Sequence, residues 1–432
     1  MKLQNDLITP IYSAINNYEA LDPSRFHMPG HSGVDIDGNL YRSAFNDITE
    51  LSFSDQIINP HGIIERSEEL AAATYGAKKI LYLTSGGTGA VFIAISIINN
   101  FGNTIITDRN AHKSVYSAAR VRNMNVIQAE ADEIIPICEN NSNIAGVLVT
   151  TPNYFGKVTD FEKLSKYLKA RGIIFVIDHC HGAHFVYSKK LPPTCVPLAD
   201  LVVCSLHKTL PVMTGGAMLA INREDLIHYG IYHRMTLHTT SASYPMLASM
   251  DYARAYMEKN GEELYEILFS RIDKIADEIA DTRFLVVEND DRTRLVISSG
   301  GVSGFALKED LERLGIFPEM ASISKVVFIL TPFNGDKLPR LAKALHQIKT
   351  DIPFRGEIPK IIHQRAAASG AIEFVRPEDS LGRVAVNEIG LYPPGTPIII
   401  SGDIIDQETI DLLIENRNYI FGLVKGMVPV LK

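Results

Sequence analysis

The sequence predicts an α/β protein whose large domain holds a mainly parallel sheet, followed by a smaller α+β domain. Two observations predict it. From about residue 60 to 222, short apolar runs alternate with longer amphipathic segments, the pattern of repeated βαβ units with helices on both faces of a sheet. From about residue 284 onward, the runs FLVVEN, RLVISS, KVVFIL and TPIIIS alternate with helical segments such as Lys337 to Lys349, which marks a second unit of mixed character. A chain of 432 residues has room for two or more domains, and 46% apolar residues suffice for a sizeable core.

Taken in order, residues 1–45 form an arm with one helical pattern, Ile8 to Tyr18, and the loop HMPGHSG at 27 to 33. Residues 46–270 form the large domain. Its expected strands are Ile80 to Thr84, Thr104 to Thr107, Gly146 to Thr150, Ile173 to Asp178 and Leu201 to Cys204. Apolar residues then recur at helical spacing from Tyr244 to Ile279, with no proline after Pro245, so one long helix should lead into the small domain at 271–432. The chain carries no internal repeat and no low-complexity segment.

Composition narrows the function classes. Forty-two basic against fifty acidic side chains give a net charge of −8, without the basic face that nucleic acid demands, so nucleic acid is not an expected partner. No apolar run reaches the length of a bilayer span; the longest lies near Ala90 to Ile98. The start, MKLQNDLITP, lacks the apolar segment of a secretory signal, and a cytoplasmic location without membrane attachment is expected. Cys138, Cys180, Cys195 and Cys204 show no paired spacing, which suits a reducing compartment.

The most informative stretch is Ser205, Leu206, His207 and Lys208, with Asp178 thirty residues upstream. Both follow buried-strand runs, GIIFVI and LVVC, and in an open α/β sheet ligands sit beyond the carboxyl ends of the strands. An amine able to form a Schiff base and an acid able to hold a pyridine nitrogen are what pyridoxal phosphate (PLP) requires. By residue type alone Lys208 could equally be a surface lysine, and Asp178 a helix N-cap.

Three neighbours carry further chemistry, each with a plainer reading beside it. TSGGTGA at 84 to 90 follows a strand and opens an apolar helix, so it suits either a phosphate at the helix N-terminus or a tight turn. DHCHGAH supplies His179, Cys180, His181 and His184, but no second cluster completes a four-ligand site, and no metal is expected. His112, in DRNAHKS, begins a helix; its ring either stacks on a cofactor or bonds to backbone.

DITEL at 47 to 51, NPHGII at 59 to 64, TSGGTGA, DRNAHKS, TPNYFG at 151 to 156, DHCHGAHF at 178 to 185, SLHKTL at 205 to 210, TTSASYP at 239 to 245 and YPPGTP at 392 to 397 occur in this order. Together they resemble the ornithine/lysine/arginine decarboxylases in their compact bacterial form, PLP enzymes of fold type I with the aspartate aminotransferase fold. The resemblance covers nearly the whole chain. It implies that Lys208 carries PLP as a Schiff base, that Asp178 pairs with the ring nitrogen, that His112 stacks on the ring and that His181 lies beside it. Gly87, Thr88, Ser205 and His207 would hold the phosphate, and Ser241 would reach the phosphate of a neighbouring subunit. The implied assembly is therefore a homodimer with shared active sites, or a larger oligomer built from it.

The implied reaction is decarboxylation of a basic amino acid to its amine, with arginine favoured over lysine or ornithine and a place in polyamine metabolism. His207 or Lys208 would return the proton to Cα. Departures from the family pattern fall where substrate would bind: Ser32 stands where lysine is usual, Gly87 where a hydroxyl residue is common, Ala242 where proline is common, Leu391 where proline precedes YPPG, and Asp403 where glutamate is usual. ELSFSD at 50 to 55 also replaces a more usual ELPGLDD. Glu388 and Asp403 are candidates to neutralise a distal cation, and His31 is a further candidate near the substrate. The alternatives are an aminotransferase, in which Arg365, Arg376 or Arg383 clamps the substrate carboxylate, or another fold type I PLP reaction, and a catalytically silent paralogue that regulates decarboxylase subunits; Lys208 and Asp178 together argue against the last.

Overall fold

The structure is a computed structural model that describes residues 7–25, 28–29, 32, 34, 44–349, 351–353, 370–391 and 397–432. In chain order the elements of the first part are α1 (Pro10–Glu19), α2 (Ile63–Tyr75), β1 (Lys79–Leu83), α3 (Gly86–Asn99), β2 (Thr104–Asp108), α4 (Lys113–Val121), β3 (Asn125–Ala129), α5 (Ile134–Asn140), β4 (Ile144–Thr150), α6 (Glu162–Arg171), β5 (Ile174–Asp178), β6 (Leu201–Cys204), β7 (Ala217–Ile221), α7 (Ile227–Leu237) and α8 (Tyr244–Glu278). There follow β8 (Leu285–Val287), β9 (Arg294–Ser298), α9 (Gly304–Arg313), β10 (Met320–Ala321), β11 (Lys325–Ile329), α10 (Leu338–Gln347), β12 (Ile372–Val375), β13 (Ile389–Leu391), β14 (Pro397–Ile399), α11 (Gln407–Glu415), β15 (Ile420–Phe421) and β16 (Val428–Leu431).

The chain divides into two compact units that are discontinuous in sequence: residues 1–97 with 175–266, and residues 98–174 with 267–432. The sequence pattern instead suggested three consecutive segments with a boundary at 270/271. That position falls inside α8, within the long helix expected from Tyr244 to Ile279.

In the first unit the strand order is β1, β7, β6, β5. β5 and β6 run parallel, in register from Val176 opposite Leu201 to Asp178 opposite Val203. β7 is antiparallel to both β6 and β1. Every residue of β5, β6 and β7 is buried, which explains why these strands read as continuous apolar runs rather than alternating ones. The unit is also braced by polar groups. The carboxylate of Asp251 on α8 accepts the backbone N–H groups of Ile11 at 2.9 Å and Tyr12 at 3.2 Å, and the Ser67 hydroxyl at 2.7 Å. Thr9, at the N-cap of α1, makes no side-chain cap bond, so a carboxylate from a distant helix satisfies the donors that a cap would otherwise take.

In the second unit β2 lies between β3 and β4, parallel to both. β8 to β11 form an antiparallel sheet in the order β10, β11, β9, β8, and Val296, Met320 and Val327 pack with Tyr154 and Phe155. A separate core gathers Ala385, Ile389, Ile399, Ile405, Ile410, Leu413, Val428 and Val430. Among the described residues no helix is long and apolar enough to cross a membrane.

Candidate active site

The first unit brings three strand ends together. Because β5 and β6 are parallel and in register, the residues after Asp178 and those after Cys204 emerge at one edge of the sheet. The His179 amide still donates to the Val203 carbonyl at 2.8 Å, and the chain then turns through Cys180 and His181. After β6, Ser205 leads into a single 3-10 turn, Leu206–Lys208. Lys208 Nζ ends 3.1 Å from His181 Nε2. Asp178 is buried at 5% exposure and its Oδ1 accepts the Cys180 amide at 3.0 Å.

The third strand end belongs to β1. Thr84 and Ser85 pass into Gly86, whose φ of +70° is left-handed and favours glycine, and Gly86 donates its amide to the Gly215 carbonyl at 2.8 Å. α3 starts there, so its first N–H groups lack intrahelical acceptors. Gly87 is buried against the two other strand ends: a Cβ built on it would lie 2.5 Å from Ser205 Oγ and 2.6 Å from Cys180 Sγ. Thr88 is exposed at the same helix start. His207 is tied to Gly216, whose carbonyl receives its amide at 3.2 Å and lies 3.0 Å from Nδ1. That contact makes Nδ1 the protonated ring nitrogen and leaves Nε2 as an acceptor in the neutral ring.

His238 was not singled out from sequence, although it immediately precedes TTSASYP. Its Nε2 and Nδ1 face the backbone amides of Thr84 and Thr239 at 3.1 and 2.9 Å, an arrangement that disfavours a proton on both nitrogens. Burial, and then the nearby Arg234 charge, lower its pKa to about 4. Arg234 is itself wholly buried against Glu68, which also accepts the Tyr82 amide at 2.9 Å. Desolvation raises the Glu68 pKa against the opposing pull of Arg234. Cys180, weighed from sequence only as a metal ligand, is the other residue missed; its place two positions beyond a strand-ending acid was the available signal.

The remaining sequence candidates have the following local surroundings. Ser241 is exposed just after α7, its amide bonded to Thr239 Oγ1 at 3.1 Å. His112, in the second unit, caps α4: its Nδ1 accepts the Ser114 amide at 3.2 Å and lies 2.9 Å from Ser114 Oγ. Glu388 is buried at 3% exposure and pairs with Arg120 at 2.8 Å, so its carboxylate already has a cation. Burial nonetheless raises its pKa. Asp403 is buried and Oδ2 accepts the Ile400 amide at 2.8 Å, a loop-closing role. Arg376 pairs with Asp379 and Arg383 with Glu373. His31 and Arg365 lie outside the described residues, as do positions 392–396 of YPPGTP. Among the described residues no group of three or more His, Cys, Asp or Glu is arranged to hold a metal ion. His179 and His184 pack edge-on against Phe185 instead.

An amine, a buried carboxylate and the start of a helix lie at one sheet edge, and the α/β layout around them is that of fold type I enzymes. Comparison with known proteins agrees. The profile of the Orn/Lys/Arg decarboxylase major domain matches residues 9–133 and 128–297. An uncharacterized protein of Bacillus subtilis (strain 168), YaaO, is 30% identical over 94% of this chain and 93% of its own length. The arginine decarboxylase of Halalkalibacterium halodurans is 29% identical over 95% of this chain and 93% of its own. The crystal structure of the Francisella novicida lysine decarboxylase LdcF superposes with a TM-score of 0.78 at 17% identity, covering 99% of this chain and 81% of that one. The chain belongs to the Orn/Lys/Arg decarboxylase family, PLP-dependent amino-acid decarboxylases.

Proposed function

We propose that this chain binds PLP through Lys208 and decarboxylates a basic amino acid, arginine in preference to lysine or ornithine, to the corresponding amine and CO2. The observation that carries the reading is the Lys208–His181 contact beside the buried Asp178, at the edge where α3 opens. The residues fit the cofactor: Lys208 for its aldehyde, Asp178 for its ring nitrogen, and the amides of Gly87 and Thr88 with Ser205 and His207 for its phosphate. Bound PLP supplies an electron sink conjugated to the substrate nitrogen.

The chain's own groups do the rest. The Asp178 carboxylate keeps a proton at the ring nitrogen, where the low local dielectric strengthens the pairing. His181 Nε2 takes or returns a proton at Lys208 Nζ as the amine is released and recaptured. Lys208, held by His181, is the better donor to Cα, since His207 offers a proton at Nε2 only as imidazolium. The preference for arginine rests on relatives named arginine decarboxylase at 29% and 26% identity. A second copy of the chain is proposed to complete the site. Tyr232 at 60% exposure and Met235 at 50% form an apolar strip on α7 that leads to the exposed Ser241.

Purified protein should be yellow, borohydride should fix the cofactor to Lys208, and labelled arginine should release CO2 with stoichiometric agmatine. Colourless protein, or keto acid in place of amine, overturns the reading; Lys208→Ala should lose the reducible adduct entirely.

A further inference from the structure

We propose that Gly87 and Cys180 are a size-matched pair, with the thiol of Cys180 acting as the positioning residue that closes the floor of the cofactor cradle and obliges position 87 to lack a side chain. The inference rests on the PLP reading above and concerns how this chain's own residues shape that site.

Three observations carry it. A Cβ at position 87 would sit 2.6 Å from Cys180 Sγ and 2.5 Å from Ser205 Oγ, closer than real Cβ atoms approach their neighbours. Neither neighbour is the tip of a long side chain that swings aside: each atom is one bond beyond Cβ, and Cys180 and Ser205 are buried at 7% and 2% exposure. The backbone beneath Cys180 is fixed as well, since its amide is bonded to Asp178 Oδ1 at 3.0 Å and the preceding residue still pairs with β6. The thiol therefore fills the space between the α3 start and the Asp178 turn.

Its chemistry suits a filler rather than a nucleophile. Burial first, and then the Asp178 charge, push the thiol pKa far above its ordinary range, so the sulfur stays protonated. The thiol shares with Ser205 Oγ the space beside Gly87, and its own backbone is held by Asp178.

The test titrates apoprotein with PLP and reads affinity from the visible absorbance of the bound cofactor. Gly87→Ala should weaken PLP about tenfold or more, the scale expected when a methyl is forced into filled space. Adding Cys180→Ala should restore affinity to within about threefold of wild type, because the vacated volume lets Ser205 Oγ rotate away from the new methyl. Gly87→Ala that binds as wild type, or a double variant no better than Gly87→Ala, overturns the pairing. If Gly87→Ala fails to fold, recovery of folding in the double variant supports the pairing and its absence overturns it. Wild-type protein that takes up no PLP overturns the functional reading itself, and the pairing with it.

Discussion

His238 shows how a single ring can link a helix end to the loop that opens α3. Its nitrogens face the amides of Thr84 and Thr239, so it ties the segment after α7 to the entry of the α3 loop. The neutral ring is the form the fold accepts, and burial with Arg234 nearby sets the folded pKa at about 4 against an ordinary 6.5. The sign of the linkage follows: the contribution is complete above pH 6.5 and is lost as pH falls from 6.5 towards 4, because the unfolded chain takes up the proton first. Urea unfolding across that window should show a steeper loss of stability in wild type than in His238→Gln, whose amide cannot titrate. Equal slopes would remove His238 from the account. None of this was legible in the sequence, where His238 is one more polar residue before a threonine pair. Asp178 and Lys208, by contrast, stood out as candidates, because Asp178 closes one apolar run and Lys208 follows another by four residues, and both runs are buried parallel strands.

At the scale of elements, the sequence marks helices and strands well where burial is complete and poorly where the pattern is diluted. The strands β1, β2, β4, β5 and β6 and the helix α8 stand within two residues of their expected limits. β3 and β7 were not anticipated. β3 reads NVIQA, polar at its start and only partly buried, and β7 reads AMLAI, rich in residues of low strand propensity. What holds β7 in place is its pairing on both sides, a tertiary fact. The start of α1 is another: its cap is Asp251, some 240 residues away in sequence. Asp251→Ala should cost about 1–2 kcal/mol, the scale of a lost cap, and should speed hydrogen exchange at the Ile11 and Tyr12 amides well before global unfolding. Asp251→Asn keeps one acceptor oxygen and should lose less. Unchanged exchange at those two amides in Asp251→Ala would show that α1 is held by packing alone.

For the whole molecule, the proposed dimer turns exposed apolar surface on α7 into a requirement. Tyr232→Glu with Met235→Glu should shift sedimentation towards monomer and weaken PLP binding together, since Ser241 would no longer be presented to a neighbouring cofactor. Assembly that survives both charges places the interface elsewhere. The buried Glu68–Arg234 pair bears on the stability of the first unit rather than on assembly. Arg234→Leu, which strands the carboxylate, should destabilise by about 3–5 kcal/mol, whereas replacing both partners with apolar residues of similar size should cost far less, as read by thermal and denaturant unfolding.

The sequence by itself determined the α/β class, the strands that end at Asp178 and Cys204, the family, and the placing of an amine and an acid beyond the ends of neighbouring parallel strands, because each of these depends on apolar runs and residue types that are local in the chain. Tertiary structure alone decided that Lys208 meets His181, that Glu388 is already neutralised by Arg120, and that Gly87 has no room for a side chain beside Cys180. Those facts depend on distances between residues far apart in sequence, and close packing fixes such distances only once the strands are in register.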